Sequence, residues 1–277
     1  MHTNGEDAEK GGRRPSSKGE ATMKKSKMIK VIATAVMLVA MLGLTACEGK
    51  SSDTLTAVTE PTFPPFDTTD KDGNIEGFDM DLLNAIAKDQ GFKVEYKALE
   101  FDALIPAIQS DQADIIAAGM NAMDPARQKK VDFSNTYYDS GLVVMVKNDN
   151  TTINGPDDLT SDMKVAAQIG TTSEDKVNEF KKESKIGSAV ILNKNTDAIL
   201  QLENGDVDAI ILDLPVANSF IKKKPDKLKK VGEVMNAESY GFAVKKGNKE
   251  LQEKINKGLA NVKKDGTYDK LYKKWFE

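Results

Sequence analysis

Two short stretches of this 277-residue sequence decide its fold, and they resemble each other. Residues 111–119 read DQADIIAAG, and residues 206–213 read DVDAIILD. Each is an acidic turn that follows a helical pattern and enters an apolar run of the length of a buried strand. Because the same unit occurs twice, the chain is predicted to form two lobes of the same α/β topology.

Strand and helix patterns alternate around both copies. Strands are predicted at 55–58, 94–98, 164–167 and 189–192. Helices are predicted at 78–87 and at 102–108, a third helix ends near residue 182, and a fourth begins at residue 196. This alternation is typical of a mostly parallel sheet covered by helices on both faces. Each lobe is therefore expected to be an α/β sandwich with such a sheet at its centre.

Two longer apolar strands are predicted to join the lobes. Residues 140–147 form the outward crossing, and residues 239–245 form the return crossing. The helices predicted at 249–262 and 268–275 would then pack back on the first lobe, which makes that lobe discontinuous. The expected boundaries are 53–143 plus 240–277 for the first lobe and 144–239 for the second, with hinge strands at the borders.

The N-terminal region carries an export signal. Residues 1–22 are polar and are predicted to be a disordered extension upstream of the true start at Met23. Residues 23–46 begin with four lysines, continue with an uncharged apolar run and end in small residues, which is the order of a secretory signal peptide. An uncleaved anchor helix is the alternative, but the apolar run is short of the ~20 residues that cross a bilayer.

The signal ends in Leu44-Thr45-Ala46-Cys47, which resembles the bacterial lipobox. That resemblance implies cleavage before Cys47 and attachment of lipid to its thiol. Burial of acyl chains contributes about 0.8 kcal/mol per methylene, so two or three chains hold a soluble domain at a membrane. We therefore expect residues 47–52 to be a lipidated linker and the protein to be anchored on the extracytoplasmic face of the cell membrane.

The composition of the mature chain excludes several functions. The first 46 residues hold eight of the 39 basic and four of the 43 acidic residues, so the mature chain carries a net charge of −8. An acidic chain of this kind is not expected to bind nucleic acid. Cys47 is the only cysteine and His2 the only histidine, so Ser-His and Cys-His nucleophile pairs and Cys/His zinc sites cannot be built. Neither a metal nor a cofactor is expected.

The mature chain resembles the extracellular solute-binding proteins of ABC importers for polar amino acids, of the glutamine, lysine-arginine-ornithine and histidine type. The resemblance spans nearly all of residues 53–277. It rests on the order and spacing of several motifs: FPPF (63–66), GFDMDL (77–82), FDALIPAI (101–108), RQKKVDFS (127–134), YY (137–138), IGTT (169–172) and DLP (213–215). It implies the two-lobed type II periplasmic-binding-protein fold, in which a ligand between the lobes favours hinge closure.

The resemblance also implies residues that bind the backbone of a free amino acid. Arg127 corresponds to the cation for the α-carboxylate, and Asp213 to the carboxylate for the α-ammonium, since unpaired charges in a closed cleft are costly. Thr171 and Thr172, in a turn before a helix, correspond to donors for the same carboxylate. Asp213 ends a predicted strand, the edge at which open α/β sheets bind ligands.

Five further positions are carried over from the family. Gly119 and Asn121 correspond to contacts with the ammonium and carboxylate, although Asn121 replaces a hydroxyl residue and the segment from Gly119 to Arg127 is one residue longer than usual. Phe63 and Phe101 match aromatic residues that enclose the ligand side chain. Glu60 matches an acid near the end of that side chain, which could pair with lysine or arginine or accept from the amide of glutamine.

Other interpretations of these residues remain open. By itself, Arg127 is also compatible with a surface position, Asp213 with a helix cap, Phe101 with the core and Glu60 with a solvated loop. The same fold resembles cyclohexadienyl or arogenate dehydratases, so an enzyme is one alternative function and a ligand sensor is another. The main expectation is a non-enzymatic, monomeric receptor for a free amino acid, with glutamine or a basic amino acid favoured. Its partners would be an ABC permease and the ATPase subunit of that permease, because the chain has no phosphate-binding loop.

Overall fold

Two sheets, one in each lobe, organise the protein in the computed structural model, which describes residues 54–277. The upstream extension, the signal peptide, Cys47 and the linker to residue 52 lie outside the described residues. No helix of residues 54–277 is both long and apolar enough to span a membrane.

The strands of the described region are β1 (Thr54–Thr59), β2 (Thr68–Thr69), β3 (Ile75–Glu76), β4 (Lys93–Ala98), β5 (Ile115–Ile116), β6 (Val131–Phe133), β7 (Tyr138–Lys147), β8 (Lys164–Gln168), β9 (Ser188–Leu192), β10 (Ala209–Asp213), β11 (Leu228–Val231), β12 (Ala237–Tyr240) and β13 (Ala243–Lys245). The α-helices are α1 (Phe78–Gln90), α2 (Leu104–Gln109), α3 (Pro125–Gln128), α4 (Thr172–Lys182), α5 (Asn195–Asn204), α6 (Leu214–Lys223), α7 (Lys249–Lys264) and α8 (Thr267–Phe276). Short 3-10 turns occupy Phe101–Ala103 and Pro156–Asp158.

The two sheets have the same plan, which confirms the α/β fold predicted from the repeat. The first has the order β4-β1-β5-β13-β6 and the second β9-β8-β10-β7-β11, with β12 pairing with the start of β7 as a sixth strand. Strands β5 and β10 hold equivalent places, because each pairs in parallel with one neighbour and antiparallel with the other. In each sheet only one strand, β13 or β7, runs against the rest, so the sheets are mostly parallel as expected.

The acidic residue before each central strand makes the same contact in both lobes. Asp114 Oδ2 accepts from the amide of Thr56 at 2.8 Å, and Asp208 Oδ2 accepts from the amide of Lys164 at 2.7 Å. Each carboxylate thus caps the start of the neighbouring parallel strand. This shared contact explains why an acid occurs at both places in the repeat.

Strand register also makes Gly119 and Asp213 equivalent. Ile115 pairs with Ala57 of β1, and Ala209 pairs with Val165 of β8, at the corresponding starts of β5 and β10. Gly119 and Asp213 each lie four residues further along the chain. The repeat therefore places one residue from each lobe, Gly119 and Asp213, at the carboxyl end of the equivalent strand of its sheet.

Two chain segments connect the lobes. Strand β7 pairs with β12 along 138–141 and then with β10 and β11 of the second sheet. Leu142 and Val143 already pair with β10, so the second sheet begins two residues before the boundary that the sequence indicated. The return crossing, expected as one strand, is two strands, β12 and β13, because the amide of Phe242 donates to the side chain of Ser134 instead.

The C-terminal helices pack on the first lobe. Helix α7 lies against α1 so closely that a Cβ atom at Gly258 would come within 2.7 Å of Ile86. Helix α8 places Phe276 against Phe66 and Phe78, with ring centroids 5.3 and 5.1 Å apart. These contacts fix the loop that contains Phe63 and Phe66, and with it one wall of the site.

Candidate functional site

Four strand ends meet between the lobes. Strand β1 leads into Glu60, β5 leads to Gly119, and β8 and β10 end at Gln168 and Asp213. The carboxyl ends of parallel strands are where open α/β sheets bind ligands. Both lobes therefore contribute to one candidate site.

A cavity of about 10 Å³ lies at this junction. Its lining residues are Phe63, Phe101, Gly119, Asn121, Arg127, Gln168, Thr171, Thr172, Asp213 and Glu238. Eight of the nine ligand-binding residues expected from the sequence are among them. The ninth, Glu60, lies behind the cavity wall, where it is buried and bonded to Gln168. The structure thus brings the expected residues together.

Arg127 lies in the cavity wall with its guanidinium fixed on three sides. Its Nε is 3.3 Å from Asp124 Oδ2, its Nη2 donates to the carbonyl of Gly170 at 3.0 Å, and its Cζ lies 5.4 Å from the centroid of the Phe101 ring. The side chain is buried, so it is not a surface residue. Burial lowers the pKa of Arg127, and the carboxylate of Asp124 opposes that shift. Such a positioned guanidinium suits a carboxylate ligand.

Asp213 faces the cavity beside a second carboxylate. Its side chain makes no cap to helix α6, but its Oδ1 accepts from the Tyr240 hydroxyl. The side chain of Glu238 lies beside that of Asp213, and both residues are buried. Burial, and then the charge of Glu238, raise the pKa of Asp213 well above its usual range. The pair forms an anionic wall that a cationic group would neutralise.

Gly119 must be glycine at this position. Its φ of +50° is in the left-handed region, and a Cβ atom there would lie 2.5 Å from the Phe63 ring. Its amide donates to Asp79 Oδ2 at 2.8 Å, away from the cavity. The group that Gly119 can offer a ligand is therefore its carbonyl.

Asn121 connects the site to the return crossing. Its Oδ1 accepts from the amide of Met123 at 3.0 Å and from that of Ser239, on β12, at 3.3 Å. Because these amides use the side-chain oxygen, Asn121 presents its Nδ2 amide group to the cavity. A donor thus replaces the hydroxyl group of the family pattern.

Several polar groups of the turn before helix α4 are already used in hydrogen bonds within the protein. Thr171 is the N-cap of α4, where its hydroxyl accepts from the amide of Glu174 at 3.1 Å and donates to the carbonyl of Gln168 at 2.6 Å. The amide of Gly170 donates to Glu174 Oε2 at 2.6 Å. The helix start nevertheless favours an anion, because the positive end of the helix dipole lies there. Thr171 and Thr172 both line the cavity at this point.

The two phenylalanines line the cavity from the first lobe. The Phe63 ring lies 6.0 Å from the Tyr240 ring, and Phe101 lies beneath the guanidinium of Arg127. Both rings therefore line the cavity and contact other residues of its wall. Phe101 is not a core residue, since it is only half-buried.

A buried polar chain lies at the other end of the cavity. Glu60 Oε2 accepts from Gln168 Nε2 at 2.8 Å and from the Thr62 hydroxyl at 2.7 Å, and Gln168 Oε1 accepts from Asn195 Nδ2 at 2.7 Å. Burial raises the pKa of Glu60, and the charge of Glu100 raises it further. Glu60 is therefore a buried carboxyl group and not a solvated loop residue.

Several of these contacts cross from one lobe to the other. Arg127 bonds to Gly170, Glu60 bonds to Gln168, and the Thr62 hydroxyl accepts from the amide of Asn195 at 3.3 Å. The cavity they enclose has room for about one water molecule. The lobes therefore contact each other across the site, and the cavity between them is smaller than an amino acid.

Sequence reasoning missed two lining residues, Gln168 and Glu238. Gln168 ends β8 as Asp213 ends β10, so its place at a parallel strand end was a usable signal. Glu238 stands alone among polar neighbours on a short strand, a pattern that predicts exposure. Its burial depends on the pairing of β12 with β7, which the sequence does not reveal.

The arrangement is chemically suited to a molecule that carries both charges. A guanidinium and a helix start lie on one side, two carboxylates lie next to them, and aromatic rings cover the space between. Within residues 54–277 no group of three or more histidine, cysteine or acidic residues is arranged to hold a metal ion. The site offers ion pairs and hydrogen bonds.

Comparison with known proteins gives a consistent result. Residues 55–277 match the family described as bacterial extracellular solute-binding proteins, family 3. Among curated proteins, the arginine-binding periplasmic protein of Mannheimia haemolytica is 34% identical, over 79% of this chain and 89% of that protein. A protein of Neisseria gonorrhoeae named "Probable histidine-binding protein" is 33% identical, over 90% of this chain and 96% of that protein.

Two solved structures extend the comparison. An ancestral arginine-binding protein bound to arginine superposes with a TM-score of 0.77 at 45% identity, covering 81% of this chain and 98% of that one. An ancestral amino acid-binding protein, described as a precursor of cyclohexadienyl dehydratase, gives a TM-score of 0.75 at 41% identity, covering 81% of this chain and 96% of that one. Both likenesses extend over both lobes.

Proposed function

Because this chain belongs to the bacterial extracellular solute-binding proteins of family 3, we propose that it captures one free amino acid outside the membrane and delivers it to an ABC permease. Closure of the lobes would enclose the ligand, and opening would release it. The relatives named for arginine and histidine support a free amino acid as the ligand class.

One observation carries the proposal: Arg127 and the pair Asp213 and Glu238 line the same cavity. An amino acid presents an α-carboxylate and an α-ammonium separated by one carbon atom. Arg127 would bind the carboxylate with help from Thr171, Thr172 and the start of α4. Asp213 would bind the ammonium. Each charge of the ligand then has an opposite charge, which a closed site requires.

We propose a basic amino acid, and arginine first, as the ligand. Glu60 is buried at the far end of the site, with the negative charge of Glu100 near enough to raise its pKa. An anionic end stabilises a cationic side chain, which Phe63 and Phe101 would cover. Glutamine is the second candidate, because its amide could donate to the same carboxylate.

A binding protein fits the site better than an enzyme does. The comparison proteins are described as binding proteins, and only one of those named above is a precursor of a dehydratase. A dehydratase is therefore the second candidate function. Its carboxylic acid would be Asp213 or Glu238, and product formed from a prephenate-like compound would identify it.

The rest of the proposal concerns the cellular setting. Cys47 would carry the lipid that holds a monomeric receptor at the outer face of the membrane, near its permease. The ATPase subunit of the transporter would drive import. Growth with labelled palmitate, comparing wild-type protein with Cys47→Ala, would detect the lipid, and an unlabelled wild-type protein would contradict it.

The ligand proposal is tested with the chain that begins at Cys47. The twenty amino acids are screened by thermal shift, and those that raise the melting temperature are measured by calorimetry. Asp213→Ala is expected to abolish binding, because the ammonium would lose its charged partner and cost several kcal/mol. Asp226→Ala, at an exposed acid, is the control and should bind normally. Unchanged affinity in Asp213→Ala, or turnover without stable binding, would contradict the proposal.

A further inference from the structure

Glu238 is buried at the site beside Asp213, and among residues 54–277 one of its carboxylate oxygens has no partner. Its residue exposure is 2%, and within the described part of the chain its Oε2 has no hydrogen-bond partner. A buried carboxylate oxygen without a partner is costly and requires an explanation. The cavity that Glu238 lines is where a partner could bind.

The position of Glu238 is fixed by the fold. It pairs with Ser140 in the register of β12 with β7, two residues before Tyr240. Alternate residues of a strand face the same side, so Glu238 and Tyr240 are directed together towards Asp213. The backbone pairing of β12 with β7 therefore sets the direction of the buried Glu238 side chain.

The charges around the pair do not neutralise it. Arg127 is the cation nearby, and it is already paired with Asp124. Asp175 adds another negative charge close to Arg127, and Tyr240 contributes a neutral hydroxyl. Two carboxylates in contact and away from water cannot both stay ionised at low cost without a cation.

We propose that Glu238 is a second carboxylate for the α-ammonium of the ligand, and that Asp213 beside it holds a proton until that ammonium binds. This inference rests on the proposed function and adds a residue and a proton to it. An ammonium group has three N–H donors. It can bind both carboxylates and satisfy Glu238 Oε2, and the displaced proton leaves to solvent as the lobes close.

The raised pKa of Asp213 agrees with this geometry, because burial and the neighbouring Glu238 both favour its protonated form. Ligand binding would then be coupled to proton release. Below the raised pKa of Asp213, affinity is expected to rise with pH, by up to about tenfold per pH unit. Above that pKa, affinity should become constant.

The test is calorimetry of the mature chain with L-arginine at about pH 6, in phosphate and in imidazole buffer. At this pH an α-ammonium keeps its proton, so any proton released comes from the protein. The difference in heat between the buffers gives the number of protons released. Wild-type protein should release a large fraction of one proton per ligand, and this measurement needs no variant.

Glu238→Gln should release a smaller fraction of a proton than the wild type, because burial still raises the pKa of Asp213 but the charge of Glu238 no longer adds to it. It should bind about tenfold more weakly, because a charged hydrogen bond is lost. Glu250→Gln removes an exposed carboxylate on α7 and should match the wild type. Wild-type binding without proton release, or unchanged affinity and release in Glu238→Gln, would overturn the inference alone. No binding of any amino acid by the wild type would overturn the proposed function as well.

Discussion

Tyr240 donates its hydroxyl proton to Asp213 Oδ1, and this bond joins the return crossing to the end of β10. The same hydroxyl lies 2.9 Å from Ser140 Oγ on the outward crossing. One side chain therefore connects both inter-lobe segments with the carboxylate that faces the ligand.

Tyr240→Phe should weaken ligand binding about tenfold, because one hydrogen bond to a charged group contributes roughly 1.5 kcal/mol. The loss should be larger at low pH, since the Tyr240 bond lowers the pKa of Asp213. Calorimetry at two pH values measures both effects. Tyr96→Phe removes a hydroxyl that bonds to Met80 and Asn84 on the first lobe, and it should leave affinity unchanged. Equal losses in the two variants would contradict a role for Tyr240.

Glu60→Gln should change which amino acid binds best. Affinity for arginine is expected to fall by more than tenfold, about 1.4 kcal/mol, because a buried charge opposite a cation is removed. Affinity for glutamine should fall less, since the substituted amide can still accept from Gln168. Glu95→Gln, at an exposed acid on β4, is the control. Proportional losses for both ligands would mean that Glu60 does not set selectivity.

Gly119→Ala should destabilise the protein and weaken binding. The variant combines a left-handed backbone with a collision against Phe63, for a cost of about 2 kcal/mol or more. Gly247→Ala is a matched control, because Gly247 has a φ of +87° but no atom lies within 4 Å of the place that an added Cβ would occupy. It should lose only about 1 kcal/mol and bind normally. Urea unfolding and calorimetry measure the difference, and identical results would exclude the collision.

Asp79→Asn should stabilise the protein above neutral pH. Burial raises the pKa of Asp79 to about 7, while an unfolded aspartate titrates near 4. Stability is therefore lost as pH rises between these values, by about 4 kcal/mol at most. Asparagine keeps an oxygen for the Gly119 amide and the Tyr137 hydroxyl, and it removes a charge that raises the pKa of Asp67.

Urea unfolding of the wild type and Asp79→Asn at about pH 8 and about pH 4 tests this sign. The variant should be more stable at the higher pH, and the advantage should disappear at the lower one. Asp72→Asn changes an exposed carboxylate near the β2-β3 hairpin and should follow the wild type at both. A variant that is less stable at the higher pH would contradict the raised pKa.

The fold was readable from the sequence because its signals are local. Helical spacing, strand length and the repeated acid before β5 and β10 each depend on a few neighbouring residues. The break in the return crossing was not readable. It depends on Ser134, which bonds to Phe242 across more than one hundred residues of chain.

Site residues could be predicted from the sequence where they lie within motifs that resemble the family. Arg127, Asp213 and the phenylalanines lie in stretches that resemble the family, and the structure brings them to one cavity. Glu238 had no such motif, and its burial follows from the pairing of β12 with β7. Gln168 could have been inferred from its place at the end of a parallel strand. Glu60, expected near the end of the ligand side chain, is bonded to the cavity-lining residue Gln168, and its contact with a ligand stays a prediction.

Strand β13 lies between β5 and β6 in the first sheet, although it is among the last segments of the chain. During synthesis, the second lobe is therefore complete in sequence before the first lobe has its own middle strand. Until Ala243–Lys245 arrives, β5 and β6 each present an unpaired edge, which invites association with other chains. The first lobe is thus the last to be able to finish folding, and the protein depends on its C-terminal segment for safe assembly.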